Sequence, residues 1–226
     1  MSDIGLGVEN MFVLGPLSIS SSLVTSIGLT MVVSGIGWLL TRNLSKSPSG
    51  LQVIVEAIVS ALEGAVEEVA GRHTQRIMPF IASLWVFLVC ANLLGLVPGL
   101  DSPTRDLSVT AALAIVVFLS VHWFGISTQG LRCYLRHYLS PSPILLPFHL
   151  ISEVTRTVAL AVRLFGNMMS LEMAALLILM VAGFLVPIPI LMLHIVEALV
   201  QAYIFGTLAL IYVAGGIQSQ EERQAD

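Results

Sequence analysis

Five long apolar blocks divide this chain of 226 residues. Each block is longer than the roughly 20 apolar residues that a helix needs to cross the hydrocarbon core of a bilayer. Because isolated strands would leave their backbone groups unpaired in lipid, we expect helices. Charged residues make up 11% of the chain, against about 25% in soluble domains. The sequence therefore predicts an all-α integral membrane protein with about five membrane-crossing helices, at 17–40, 77–100, 107–127, 144–184 and 188–217.

We interpret residues 1–226 as a single integral membrane domain with four parts. These are a first transmembrane helix at 16–40, an amphipathic interfacial helix at 50–71, a transmembrane hairpin at 77–127 and a long helical hairpin at 144–217. In the interfacial helix, apolar residues such as Leu51 and Ile58 share one face, while Glu56 and Glu63 lie on another. This helix either docks a partner subunit or caps the bundle, and the sequence leaves both open.

The fourth and fifth blocks are too long for a simple crossing. About forty helical residues extend roughly 60 Å and about thirty extend roughly 45 Å, against a hydrocarbon thickness of about 30 Å. Pro187 and Pro189 lie at the junction of the two blocks, in the expected connector, where they suit a tight reversal. We therefore expect the last two helices to form a long, strongly tilted hairpin.

Composition and motifs exclude several classes of function. Ten Lys and Arg and a net charge of −4 leave no basic footprint for nucleic acid. Cys90 and Cys133 form neither a zinc spacing nor a disulfide framework. The sequence contains no phosphate loop, zinc-protease motif or serine-hydrolase motif. We expect a chain that is not itself an enzyme and that needs no metal or cofactor.

The distribution of Lys and Arg predicts the orientation in the membrane. The loops that follow the first and third blocks are basic, whereas the N-terminus has no Lys or Arg. Cytoplasmic loops carry the excess of these residues in membrane proteins. We therefore predict an external N-terminus and a cytoplasmic C-terminus. The residues on which this depends are Arg42, Lys46, Arg72, Arg76, Arg132 and Arg136.

Arg163 lies in a segment, 157–186, that is otherwise almost wholly apolar or small and contains one further charged residue, Glu172. An arginine at membrane depth costs at least about 2.5–3.5 kcal/mol and cannot lose its proton. Apolar turns flank Arg163 on both sides, so snorkelling from a helix end explains it poorly. We therefore infer that Arg163 is functional.

The spacing of the polar residues indicates which way each one faces. At 100° per residue, Arg163, Asn167 and Ser170 share one stripe of the helix. Glu172 follows Arg163 by nine residues, so it lies on the opposite side and about 13 Å further along the axis. A regular helix therefore excludes a salt bridge between Arg163 and Glu172, and each must address a different neighbour.

A second polar face lies on the last helix, where His194, Glu197 and Gln201 are spaced i, i+3 and i+7. If the two long helices pack antiparallel, this face and Glu172 can line a common polar path. Carboxylates and histidines at membrane depth are typical of proton relays and ion routes. A single buried histidine is more often held by hydrogen bonds alone, but three polar residues on one face favour an ion path.

A fixed cation on one side and titratable groups on the other indicate a mechanism. A carboxylate brought opposite Arg163 would be held ionised, because a nearby positive charge favours the charged form. An ion could neither stay on that carboxylate nor pass the arginine, so it would leave on one side and be replaced from the other. The chain offers no such carboxylate on a facing stripe, so we infer that another subunit supplies it.

Three segments match the pattern of a known family in the correct order. The first is VRLFGNM at 162–168, with a glutamate nine residues after the arginine. The second is His194 followed by QAYIF at 201–205, and the third is NLLGLVPG at 92–99 followed by SPTRDLSVT at 102–110. These segments resemble subunit a of F-type rotary ATP synthases. The resemblance covers approximately residues 75–215 and is weak over the first 70 residues.

The resemblance implies an ion-translocating stator subunit beside a rotating ring of c subunits, with the peripheral stalk b subunits as further partners. It implies that Arg163 faces the carboxylates of the ring and separates two aqueous half-channels. Glu172, His194 and Gln201 would line a half-channel or position the arginine, and Asn167 would border the ring. Ion flow would turn the ring, while a catalytic head elsewhere makes ATP. The compact length and the loops favour a bacterial inner membrane over a mitochondrial one.

The chain departs from the family at several positions. The family often has a carboxylate fourteen residues before the arginine, where this chain has His149, and Glu153 follows four residues later. Glu197 is an additional carboxylate beside His194. We hypothesise that Glu153 replaces the missing acid on the inner side. The candidate residues for ion translocation are therefore Arg163, Glu172, His194, Gln201, Asn167, Glu197, Glu153 and His149.

Two other classes of function fit the sequence less well. A free-standing secondary transporter or antiporter could bind an anion at Arg163, but such proteins usually have internal repeats and broken helices, and the sequence indicates neither. A purely structural anchor would not explain the aligned polar residues. The ion itself, proton or sodium, stays open because the partner ring binds it.

Overall fold

The computed structural model describes residues 10–14, 17–42, 50–97, 102–130, 146–182 and 187–225. Lys46, Arg132 and Arg136, on which the predicted orientation partly depends, lie outside these residues. The described chain is mainly helical, with α1 at Ser21–Arg42, α2 at Gly50–Ala70, α3 at Thr74–Leu94, α4 at Leu107–Gln129, α5 at Leu146–Ala182 and α6 at Pro187–Ala225. Five helical segments are long and apolar enough to cross a membrane, which confirms the predicted fold class.

A short β-hairpin before α1 was not predicted. Strand β1 at Asn10–Leu14 pairs antiparallel with β2 at Leu17–Ser20. The first helix was expected from residue 16 or 17, but it begins at Ser21. The segment Leu17-Ser18-Ile19-Ser20 alternates apolar and polar residues, a period of two that is typical of a strand. The helix therefore starts where this alternation ends.

The segment from Gly50 to Leu94 contains two helices and a turn between them. The 3₁₀ turn Gly71–His73 joins α2 to α3, and Gly71 has a φ of +52°. This left-handed conformation is readily available to glycine because it has no Cβ. Val66 and Ala70, at the end of α2, are buried. That α2 lies in the membrane interface stays a prediction.

The last two helices are both long and unbroken over their described lengths. The 37 residues of α5 and the 39 residues of α6 extend about 55 Å and about 58 Å at 1.5 Å per residue. Pro187 and Pro189 were expected in the connector, but they form the first turn of α6. Proline fits there because the first turn of a helix has no intrahelical partner for the missing N–H.

Helices α3 and α6 are antiparallel and closely packed. The side-chain amide of Asn92 donates to the carbonyl oxygen of Ala198 at 3.1 Å, and the indole of Trp85 donates to the carbonyl oxygen of Tyr203 at 3.4 Å. A Cβ added at Gly206 would lie 2.0 Å from the Trp85 Nε1. The absence of a side chain at Gly206 therefore sets how closely these two helices approach.

Helices α5 and α6 also pack antiparallel, as predicted. The Arg156 guanidinium lies 5.5 Å from the centre of the Tyr212 ring, and Asn167 contacts Gln201. Residues that come later in α5 thus meet residues that come earlier in α6. Helix α4 packs against both long helices. The buried core is built by α3, α4, α5 and α6 with the end of α2, whereas α1 has no buried side chain.

Candidate functional site

Helix α5 has a buried face and an open face. Leu160, Leu164 and Met168 are 2% exposed or less and belong to the core of the bundle. The opposite face, which we call the open stripe, is half-buried at its glycine and exposed at its other positions. The spacing follows the period of an α-helix, so these side chains point in one direction. The open stripe consists of Ala159, Arg163, Gly166, Ser170 and Met173.

Arg163 lies in the middle of the open stripe. Its side chain is exposed, and among the residues that the structure describes none forms a hydrogen bond or ion pair with its guanidinium. Its neighbours on the stripe are small, and a Cβ added at Gly166 would meet no heavy atom within 4 Å. Small residues let another helix approach closely in a membrane. Arg163 therefore points out of the bundle, from a part of the surface where its neighbours on the stripe are small.

Asn167 is turned away from the open stripe toward α6. Its amide donates to the Gln201 Oε1 at 2.6 Å. Gln201 is 1% exposed, and its Nε2 is buried without a hydrogen-bond partner in the described part of the chain. The predicted stripe of Arg163, Asn167 and Ser170 is thus divided, because the 40° offset of Asn167 is enough to bring its short side chain to α6.

Glu172 pairs with a residue that the sequence did not single out. Its carboxylate forms an ion pair with Arg105, which lies in the 3₁₀ turn Pro103–Arg105 before α4. Both side chains are about one-third exposed. Glu172 thus has a neighbour other than Arg163, whereas the neighbour that Arg163 addresses stays a prediction.

The predicted polar face of α6 is mostly buried. His194 is 8% exposed, and its Nε2 has no hydrogen-bond partner among the described residues. A Cβ added at Gly95 would lie 3.7 Å from this nitrogen, so the end of α3 comes close to His194. Glu197 is half-buried. The described partner of Glu172 is Arg105. Among the described residues, no direct contact joins Glu172 to the polar face of α6 to form the expected common path.

A buried polar cluster connects α3, the turn and α6 beside His194. The Thr104 hydroxyl donates to the Asn92 Oδ1 at 2.9 Å, and the Ser102 hydroxyl donates to the Ala91 carbonyl oxygen at 2.9 Å. Asn92 and Thr104 are both 0% exposed. Buried polar groups of this kind are costly unless they are hydrogen-bonded. The cluster therefore holds the turn against α3 and α6 and keeps polar atoms in an otherwise apolar region.

Glu153 lies on the other side of Arg163 along α5. Its carboxylate approaches the His122 Nε2 of α4 to 3.4 Å, and both side chains are about one-quarter exposed. His149, one turn earlier, is exposed. Glu153 precedes Arg163 by ten residues and Glu172 follows it by nine, which places the two carboxylates about 15 Å and about 13 Å away along the axis. Arg163 thus lies between two carboxylates, each held by a basic residue of α4 or of the turn before it.

Several of these residues were not among the sequence-based candidates. Four of them lie in segments that carried the family resemblance, and this resemblance was the signal that could have pointed to them: Asn92, Ser102, Thr104 and Arg105. His122 gave no signal, because one histidine in an apolar helix has no spacing that points to a partner. The ion pairs of Glu153 and Glu172 both depend on the packing of α5 against α4 and the turn before it. The sequence alone did not specify this packing.

Comparison with known proteins identifies the family. The model of the ATP synthase A chain family matches residues 23–214. The chain is 60% identical to "ATP synthase subunit a 2" of Pelobacter propionicus, over 96% of this chain and 95% of that protein. It is 63% identical to "ATP synthase subunit a 1" of Hahella chejuensis, over 92% and 89% of the two chains. It is 54% identical to "ATP synthase subunit a" of Legionella pneumophila, over 98% and 96%.

These matches agree with the resemblance seen in the VRLFGNM and QAYIF segments and extend it into α1. They also agree with five membrane-crossing segments and with a chain that carries no catalytic constellation of its own. The chain therefore belongs to the ATP synthase A chain family, the non-catalytic membrane stator subunits of F-type ATP synthases.

Proposed function

We propose that this chain conducts the coupling ion through two half-channels that Arg163 separates, and that it couples this flow to rotation of a ring of c subunits. The observation that carries the proposal is the position of Arg163 on the open stripe of α5, exposed and without an ion pair among the described residues. A permanent cation held at membrane depth needs a negative partner, because an isolated charge there is costly. A carboxylate on a neighbouring ring meets this need.

The open stripe gives a helix of the ring access to Arg163. Ala159, Gly166 and Ser170 are small, so a facing helix can approach the guanidinium closely. A ring carboxylate that reaches Arg163 is held ionised by the positive charge and must release its ion. It takes up an ion again only after it has passed the arginine. Rotation in one direction then follows when ions enter on one side and leave on the other.

We propose that one half-channel passes His194, Gln201, Asn167, Glu197 and Glu172. The support is the hydrogen bond between Asn167 and Gln201 across α5 and α6, together with the unpartnered buried nitrogens of His194 and Gln201 among the described residues. Such nitrogens are groups that water in a channel would satisfy. Asn167 orients Gln201 through its hydrogen bond and so fixes one wall of this path.

We propose that the other half-channel passes Glu153, with His149 near its entrance. Glu153 is half-buried beside His122, whereas His149 is exposed near the start of α5. The distance of about 15 Å from Arg163 along the axis suits an access path that ends at the arginine. This assignment keeps the hypothesis that Glu153 replaces the acid that the family often has at position 149.

The relatives are bacterial ATP synthase subunits, so the chain is a multi-pass membrane protein of a bacterial ATP synthase. We propose the inner membrane as its location, with the N-terminus outside and the C-terminus in the cytoplasm. The ring of c subunits and the peripheral stalk b subunits are its proposed partners. We also propose that α5 and α6 are strongly tilted in the membrane and that α2 lies at the membrane interface. Because the chain belongs to a family of stator subunits, we set aside the alternative of a free-standing transporter.

The direct test is substitution of Arg163 in the assembled complex. We expect Arg163→Ala to abolish ATP-driven ion pumping and ATP synthesis in membrane vesicles. Arg163→Lys should lose nearly all coupled activity, because lysine can release its proton in apolar surroundings and lacks the forked donors of arginine. The quantities to measure are pumping rate, ATP synthesis rate and the amount of subunit in the purified complex.

Arg156→Ala is the matched control, since Arg156 lies on the same helix but packs on Tyr212 of α6. This variant should keep coupled activity that the Arg163 variants lose. Normal ATP synthesis by an assembled Arg163→Lys complex would contradict the proposal.

A further inference from the structure

We propose that Arg105 is a positioning residue that fixes the Glu172 carboxylate and supplies its counter-charge. The inference deepens the proposed function, on which it rests, because it assigns a role within the half-channel that contains Glu172. The starting observation is an ion pair between residues that are 67 positions apart in the chain. It connects the turn Pro103–Arg105 to the last third of α5, and both side chains are about one-third exposed.

The turn that carries Arg105 is firmly held. The Arg105 N–H donates to the Ser102 carbonyl oxygen at 3.1 Å, and Thr104 is anchored on Asn92 by a buried hydrogen bond of 2.9 Å. Asn92 in turn donates to the Ala198 carbonyl oxygen of α6. The backbone on either side of Arg105 is thus tied to α3 and α6. The guanidinium is therefore presented to α5 from a fixed base, which is what a positioning residue requires.

The pair also decides where the charge of Glu172 is balanced. Arg163 lies on the far side of α5 and about 13 Å away along the axis, so it cannot be the counter-charge. A carboxylate without a counter-charge at this depth would be costly and would hold cations. Arg105 supplies the counter-charge to Glu172, and the carboxylate stays on the α4 side of α5. An ion can then pass Glu172 without being trapped.

The test is a double-mutant cycle on ATP-driven ion pumping by the assembled complex in inverted vesicles. Arg105→Ala should lower the pumping rate about tenfold, the size expected for loss of one charge-assisted hydrogen bond. Glu172→Gln should have a similar effect. The double variant should pump no more slowly than the slower single variant, because residues that act as a unit are not additive.

Two further variants separate positioning from mere packing. Arg105→Lys keeps the charge and should keep more than half of the pumping rate. The exchange Arg105→Glu with Glu172→Arg should pump several times faster than either of its single changes, a rescue that a purely structural role would not give. Arg76→Ala is the control, because Arg76 also bridges two elements but binds the uncharged Ser127. Its pumping rate should stay within a factor of about two of the unaltered complex.

Two results together would overturn the inference. The losses of the two single variants would multiply in the double variant, and the exchange variant would pump no faster than its single changes. If Arg105→Ala does not assemble, Arg105→Gln takes its place in the cycle, since glutamine keeps a donor without the charge. Failure of the proposed function is distinguishable, because it requires an active Arg163→Ala complex. Should Arg163→Ala be inactive and the cycle additive, only the role of Arg105 is wrong.

Discussion

At the scale of single residues, the charged groups of α5 divide into paired and exposed ones. Glu153 and Glu172 each have a basic partner from α4 or the turn before it, whereas Arg163 points outward from the bundle. A buried carboxylate needs a partner within the chain, because leaving its charge unbalanced is costly. The exposed arginine has the opposite requirement, since its proposed partner belongs to another polypeptide. The pattern of pairing therefore separates the stationary charges of the site from the charge that meets the ring.

The role of Glu153 gives a prediction at this scale. Glu153→Gln should lower ATP-driven ion pumping about tenfold or more, because it removes the acid proposed for the inner access path. His149→Ala should lower the rate less than Glu153→Gln does, because His149 lies only near the proposed entrance of this path, at an exposed position early in α5. The measurement is the initial pumping rate in inverted vesicles with equal amounts of complex. Intact pumping in Glu153→Gln together with loss of pumping in His149→Ala would refute the assignment.

At the scale of helices, the close contact between α3 and α6 positions the polar face of α6. Gly206 lies against the Trp85 indole, and Trp85 also stacks at 6.4 Å on Tyr203. One turn before Gly206 along α6, Ala202 is fully buried in the core. The helix interface thus fixes the rotation of α6, and with it the burial of His194 and Gln201. The half-channel proposed here depends on this packing as much as on its polar residues.

We predict that Gly206→Ala destabilises the protein by about 1–3 kcal/mol, because the added methyl group overlaps the Trp85 ring and forces a shift of backbone or side chain. Gly215→Ala on the same helix is the matched control, since a Cβ there would meet nothing within 4 Å. That change should be neutral or stabilising by up to about 1 kcal/mol, the gain in helix propensity. Thermal unfolding of the purified subunit in detergent measures both. Equal stability of the two variants would mean that the close approach of α3 and α6 is wrong.

The number and type of the elements could be predicted from the sequence, and their contacts mostly could not. Apolar blocks long enough to span a bilayer specify helices almost by themselves, and the separation of nine positions placed Arg163 and Glu172 on opposite sides of α5. The predicted start of α1 was wrong because the alternation of apolar and polar residues in Leu17–Ser20 is too short to stand out from the apolar block that follows. Pro187 and Pro189 were placed in the connector because a proline at the first turn of a helix and one in a loop look alike in sequence. Arg105 and His122 were missed because their partners are distant in the chain.

At the scale of the whole molecule, a large apolar surface is left outside the buried core. Trp123 is 72% exposed and Met180 is 85% exposed, as expected for side chains that face lipid or another subunit. The open stripe differs from this surface because it combines a permanent cation with small side chains. Lipid offers no counter-charge to a guanidinium at this depth, but the carboxylates of a ring do. We therefore predict that one narrow face of α5 lies against the ring, while other exposed faces do not.

The most direct test of this claim is disulfide cross-linking in the assembled complex, with Cys90 and Cys133 replaced by serine. Ser170→Cys lies on the open stripe about 10 Å along the axis from Arg163. It should cross-link to a cysteine placed about two helical turns from the ion-binding carboxylate of a c subunit, on the level of Ser170, because a disulfide needs Cα atoms within about 7 Å. Trp123→Cys, also at an exposed position but on α4, should not cross-link under the same oxidising conditions. A cross-linked product of this chain with a c subunit for Ser170→Cys alone is the predicted result. A product for Trp123→Cys and none for Ser170→Cys would contradict the proposed placement of Arg163 opposite the ring.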